Sequence, residues 1–381
     1  MKVDVLSDVV VSNGTAEMGL GLHCAYPACG VAPDGLILCV YRAGSQSHSY
    51  DGVTCAQTSS DQGRTWSQPV VLFDRRHTTP AESLVQPVAL APRDGLLLAL
   101  TPTVVAGSTC AHPLVSEAGL QFERRCYKCH SVDDGRTWSQ PELLTHLAGL
   151  SLAGKSCVLP DGHLFINAAR TEPVGLRMNM ACFSSDHGRT IGPPVELFQD
   201  PQWRWAYDEA NYTTFPDGTM LGLYWTWRVN DPQSMKISES APVHRSVSSD
   251  LGRTWALPAA TNLVGQISSP AALDDRTVLV ASNYRYKPPG IRLWISHDRG
   301  QSFNPDRVLQ MWDPQAGRIT ARAQETAPPP TDQGTTNAFE AFTFGLPELH
   351  RLADATLLMT YWCTCQGDVQ VRACRFRLAE S

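Results

Sequence analysis

Short apolar runs recur along the chain, each placed just after a sharp polar turn. Leu36-Ile37-Leu38 follows Pro33-Asp34-Gly35, Leu96-Leu97-Leu98 follows Arg93-Asp94-Gly95, and Leu164-Phe165-Ile166 follows Pro160-Asp161-Gly162. Met220-Leu221 follows Pro216-Asp217-Gly218, while Val278-Leu279-Val280 and Leu357-Leu358-Met359 follow the degenerate turns Asp274-Asp275 and Ala353-Asp354. Asp-Gly between two apolar runs is a strong hairpin signal, and runs this short between turn residues read as strands. Successive turns lie 60, 67, 56, 57 and 80 residues apart, which suits four strands plus loops in each of six units.

A second motif alternates with the first. Ser-x-Asp-x-Gly-x-Thr-Trp, or a close variant, occupies Ser59–Trp66, Ser131–Trp138, Ser184–Ile191, Ser248–Trp255 and Ser296–Phe303. Its Asp can accept hydrogen bonds from backbone and hydroxyl within one turn. Its Gly supplies a conformation other residues resist, and its aromatic packs between strands. These aspartates are therefore assigned to structure, not catalysis. The sixth unit has no such motif, and Val369-Gln370-Val371-Arg372 is expected to pair with the strand-like Val3–Val11. The predicted fold is a single all-β domain over residues 1–381: a six-bladed β-propeller of four-stranded antiparallel blades, its ring closed by the terminal strands.

Composition narrows the function. Hydrophobic residues make up 43% of the 381 residues and charged ones 18%, enough for a large core. No apolar run approaches membrane-spanning length, and Met1-Lys2-Val3-Asp4-Val5 has no apolar leader core, so a cytoplasmic, non-membrane protein is expected. A net charge of −6 argues against nucleic acid but leaves room for a small anion held by local arginines. The 12 cysteines are expected to remain thiols. Cys126-Tyr127-Lys128-Cys129-His130 matches a haem-attachment spacing, but residues three apart on a strand face opposite ways. No cofactor or metal is expected.

Candidate chemistry sits where first strands begin and second strands end. Trp205, Tyr207, Glu209, Trp227 and Arg228 in the fourth unit mix rings, a carboxylate and a guanidinium, as a sugar pocket requires. Arg42, His48 and Asp51 in the first unit offer groups for proton transfer. Arg170, Arg285 and Arg292 are candidate anion contacts if they converge. Lys155, Glu82, His77 and Glu340 also precede first strands.

The five Asp-box motifs, the segment Arg177–Gly188 and the Glu209…Pro216-Asp217-Gly218 pattern together resemble the sialidase superfamily across the whole chain. The resemblance implies three arginines on a substrate carboxylate, a tyrosine nucleophile paired with a glutamate, and an aspartic acid protonating the leaving group. It puts Glu209 in the glutamate's place, with Arg228 and Arg292 near the second and third arginines. Ala25 stands in place of the first arginine, Leu346 in place of the tyrosine, and His48, with Asp51 nearby, in place of the acid.

The expectation is a glycan-active, exo-sialidase-like glycoside hydrolase on an acidic carbohydrate. Glu209 and His48 would act as acid and base, Asp51 and Tyr207 would assist, and Arg42, Arg170, Arg228, Arg292, Trp205 and Trp227 would bind. A uronate lyase using His48 or Tyr50, and a non-catalytic glycan- or protein-binding propeller, remain alternatives.

Overall fold

All six Asp-centred turns join two antiparallel strands in a computed structural model of the chain. It describes residues 2–14, 23–46, 49–105, 123–170, 178–198, 200–202, 204–231, 236–324 and 342–379. The joined pairs are His23–Val31 with Ile37–Gly44, Val88–Arg93 with Leu96–Val105, and Cys157–Val158 with Leu164–Arg170. In the later repeats they are Trp205–Thr214 with Met220–Asp231, Ser268–Ala272 with Val278–Tyr284, and Phe344–Arg351 with Leu357–Cys365. A third and a fourth antiparallel strand complete each repeat.

In the sixth repeat the fourth strand comes from the other end of the chain. Val3–Ser12 runs antiparallel to Asp368–Leu378, with Val10 opposite Arg372 and Ser12 opposite Val371. Tyr361 and Arg372 hold Asp8 at 3.0 and 2.9 Å across this seam. Among the described residues helix is confined to two single turns, Thr145–Leu147 and Pro305–Arg307. Among the described residues no helix is long and apolar enough to cross a membrane.

The strand period of two explains how each repeat touches two neighbours. On the second strand of the second repeat, Leu97 and Ala99 pack with Leu38 and Val40 of the first repeat. Leu98 and Leu100 point the other way, onto Leu164 and Ile166 of the third. Phe165 then meets Tyr212 and Met220, Leu221 and Leu223 meet Val278 and Val280, and Leu279 and Leu293 meet Leu349 and Leu357. Leu358 and Ala373 of the sixth repeat pack with Ile37 and Tyr41 of the first. Burying one such side chain contributes about 1.5–3 kcal/mol, so these shared layers dominate cohesion.

The Asp boxes sit between third and fourth strands. In the first, Asp61 accepts from the Ser59 hydroxyl at 2.8 Å, the Thr65 N–H at 2.9 Å and the Thr65 hydroxyl at 2.6 Å. The Ser59 hydroxyl oxygen in turn accepts the Gly63 N–H at 2.9 Å. Asp133, Asp186, Asp250 and Asp298 repeat the arrangement. Gly63 is left-handed at φ 83°, as expected of the motif, but so is Gln62 before it at φ 65°. The turn therefore strains one ordinary residue as well. The eleven described cysteines are all free thiols.

Candidate active site

Three first strands carry the same irregularity near their start. The pairing slips between Ala25 and Ala28, between Asp208 and Asn211, and between Gly345 and Glu348. In each slip one non-glycine residue is left-handed: Tyr26 at φ 56°, Glu209 at φ 40° and Leu346 at φ 47°. Each stands eight positions ahead of its turn aspartate, Asp34, Asp217 or Asp354. Bulges of this kind re-aim a side chain, and unusual φ values persist where surroundings enforce them.

The surroundings bring the three together. Ala25, Ala206, Trp225, Trp227, Ile267, Leu346 and Trp362 form one cluster, with Tyr26 and Phe342 packed against it. Trp225 and Trp227 lie 4.4 Å apart, ring centroid to centroid, and Tyr26 meets Trp362 edge-on at 5.9 Å. Aromatic walls such as these suit the faces of a sugar ring.

Arg285, just past the second strand of the fifth repeat, supplies the charge. It donates to the Phe344 carbonyl at 2.8 Å and to Gln266, and its guanidinium lies 3.4 Å from the Phe342 ring centroid. Burial brings it down to about 9, against the opposing pull of Glu209 and then Tyr26, which favour the charged form. Arg285 thus interacts with both, linking the fourth repeat to the first. Gln266 also stands eight positions ahead of its turn aspartate, Asp274.

Arg42 extends this polar line into the first repeat, where it interacts with Tyr26 and Asp51. It is 1% exposed. Its donors meet the carbonyls of Leu84 at 3.1 Å, Gln46 at 2.5 Å and Ser49 at 2.6 Å. A guanidinium committed to backbone carbonyls shapes a loop and is poorly available to a ligand. Asp51 caps the same loop, accepting from the Ser45 N–H at 3.0 Å and from the Ser49 hydroxyl. Burial pushes its carboxyl up, but these hydrogen bonds and Arg42 outweigh that and hold it below the ordinary aspartate value.

The remaining expected residues are dispersed. Tyr207 is buried, its ring packed on Phe198 at 5.6 Å and Tyr224 at 5.7 Å in the layer between third and fourth repeats, and burial pushes its phenol up. Trp205 packs edge-on against His244 at 5.0 Å, while Trp227 belongs to the cluster with Trp225 and Trp362. Arg228 is exposed opposite Trp205, and Arg170 is exposed opposite Leu150. Arg292 is fully buried over the Tyr284 ring at 3.2 Å and donates to the Pro288 carbonyl. His48 and Glu340 lie outside the described residues. Glu82 is held by Arg125 at 2.8 Å, Arg75 at 3.1 Å, the Tyr127 hydroxyl and Thr103, a closed network. His77 is exposed.

Sequence reasoning weighed Glu209 and Trp227, and named Arg285 only in passing. It gave no site role to Tyr26, Gln266 or Trp362. The constant eight-residue offset from the turn aspartate was the available signal for Tyr26 and Gln266.

Comparison with known proteins agrees with this architecture. A family model described as a BNR repeat-like domain matches residues 35–320. The comparison with curated proteins gives no match. Among solved structures, a protein of unknown function from Dyadobacter fermentans superposes with a TM-score of 0.68 at 19% identity, covering 99% of this chain and 100% of the other. The intramolecular trans-sialidase of Ruminococcus gnavus, solved with oseltamivir carboxylate, gives 0.64 at 13% identity over 98% and 99% of the two chains. Trypanosoma rangeli sialidase with sialic acid gives 0.61 at 13% identity, with 93% of this chain covering 54% of that one, so this chain spans about half its length. Likeness at these identities is a likeness of fold.

Proposed function

The chain belongs to the BNR repeat-like domain family, and we propose that its six repeats form a closed six-bladed propeller whose mouth binds and hydrolyses an acidic glycoside. The observation that carries this reading is the interaction of Arg285 with both Glu209 and Tyr26 inside an aromatic wall. Arg285 supplies the positive field for a sugar carboxylate. Trp225, Trp227 and Trp362 supply ring faces.

With Leu346 unable to attack, Tyr26 is the phenol within reach of the same field, and phenols serve as nucleophiles in some glycosidases. In this scheme Glu209 takes the Tyr26 proton as the phenolic oxygen bonds to the anomeric carbon. The glycosidic carbon–oxygen bond breaks, and the leaving oxygen takes a proton from His48. Water then adds at the anomeric carbon as the bond to Tyr26 breaks, its proton restores His48, and Glu209 returns the proton it took to the Tyr26 oxygen.

The test is turnover of fluorogenic sialosides and uronides by the purified chain. Release of the reporter is expected from one of them, falling at least about 100-fold in Glu209→Gln and in Tyr26→Phe. Equal rates in both variants would remove the assignment. A product absorbing in the ultraviolet as an unsaturated uronate would instead mark a lyase.

A second reading, a glycan-binding propeller without turnover, is favoured by Leu346 and by the prior engagement of Arg285 with Phe344 and Gln266. Calorimetric sugar binding with no reporter release supports it.

A further inference from the structure

A second cavity, of about 270 Å³, lies further along the same first strands, towards their Asp-centred turns. Its wall draws on the first strands of five repeats and shares no residue with the aromatic cluster of the mouth. Lys155 enters it from the third repeat. Its ammonium donates to the Leu349 carbonyl of the sixth repeat at 2.7 Å. An ammonium has three N–H groups, and the other two have no partner among the described residues.

Hydroxyls surround it. The Ser156 oxygen accepts the Asn167 N–H and the Thr213 oxygen accepts the Ala272 N–H, each at 3.1 Å, leaving both hydroxyl protons available. The Thr214 hydroxyl is buried with no partner among the described residues. His350 completes the wall, its Nε2 3.3 Å from Glu348, and Arg351 stands exposed on the rim. Glu348 accepts the Cys29 N–H behind the wall and is engaged there with Cys29 and His350; no acidic residue is among the lining.

A buried ammonium with unused donors, three hydroxyls, a rim guanidinium and no lining carboxylate describe a receptor for negative charge. We infer that this cavity binds a phosphate group, held by Lys155, Thr214 and Arg351. The volume admits the free ion with water or a small phosphomonoester. The site stands apart from the glycan reading, since its ligand and its walls are different.

Calorimetric titration of the full chain with inorganic phosphate and, separately, glycerol 3-phosphate, at matched chloride, tests it. Saturable binding of at least one is expected, and the tighter of the two identifies the source. Lys155→Met removes a charge-assisted hydrogen bond and is expected to weaken binding at least about tenfold. Arg351→Ala, at an exposed position that the fold does not need, is expected to weaken it several-fold and remains decisive if the Lys155 variant fails to fold. Absence of saturable heat with both probes overturns the inference, as does parental affinity in Arg351→Ala together with a folded Lys155→Met.

Discussion

Replacing Arg42 by Met separates a loop-shaping role from a ligand-binding one. Met keeps much of the apolar stem but offers no donor, so the carbonyls of Leu84, Gln46 and Ser49 each lose a charge-assisted hydrogen bond, although Ser49 keeps the Ser83 hydroxyl at 2.8 Å and Gln46 the Ser49 hydroxyl at 3.0 Å. A hydrogen bond to a charged group is worth about 1.5–3 kcal/mol, and three give about 4.5–9 kcal/mol before relaxation. Removing a buried guanidinium returns part of this, because burial also disfavours the charge of Arg42. A net loss of about 3 kcal/mol is expected. Gly44 and Gly52 show how tightly the group is enclosed: a Cβ at Gly52 would lie 2.5 Å from the Arg42 Nε, and one at Gly44 would lie 2.7 Å from its NH1. Urea unfolding followed by tryptophan fluorescence measures the change. A shift below about 0.5 kcal/mol would refute the reasoning, since exposed, freely hydrated carbonyls alone would be that indifferent.

Two further outcomes concern stability. Gly154 is left-handed at φ 96°, and a Cβ there would stand 2.1 Å from the Ala210 carbonyl oxygen, next to Glu209. Gly154→Ala should cost about 3 kcal/mol or more, and an unchanged thermal midpoint would contradict that contact. The Asp boxes predict acid sensitivity. In Asp133 the Thr137 hydroxyl and N–H and then the Ser131 hydroxyl bring the carboxyl down to about 2. In Asp61 burial opposes, but Thr65, Ser59 and Arg64 reach the same value. A lowered folded value means the stabilisation is complete above the ordinary aspartate range near 3.8 and is lost as pH falls towards about 2. Unfolding midpoints should fall over that window, and Asp61→Asn with Asp133→Asn should flatten the profile; parallel profiles would exclude the boxes as the cause.

The strand plan was legible because it is written in local chemistry. Asp34-Gly35 or Asp217-Gly218 needs only its neighbours to turn, and Ser59 with Asp61 and Thr65 closes a box within seven residues. The pairing of Val3–Ser12 with the C-terminal strand could also be anticipated, since each was otherwise an edge. The site was less legible because its members are defined by distant partners. Arg285 and Arg292 look alike in sequence, yet one reaches Phe344 at the mouth and the other lies over Tyr284 inside its sheet. Tyr207 and Glu209 are two residues apart and should share a face of a regular strand. The bulge at Asp208–Asn211 breaks that alternation, sending Tyr207 into a core layer while Glu209 interacts with Arg285. Arg42 announced a charge but not the three carbonyls that occupy it.

The pairing of Val3–Ser12 with Asp368–Leu378 has a consequence for biosynthesis. The strand Val3–Ser12 must wait, unpartnered, while more than 350 residues are made before Asp368–Leu378 follows. The first five repeats can assemble as they emerge, but the sixth cannot be completed before Asp368–Leu378 is made, and the wait leaves Val11, buried once the pairing forms, open to competing partners. Trimming the final strand should therefore harm folding yield far more than its length suggests, by leaving the opening segment without its destination.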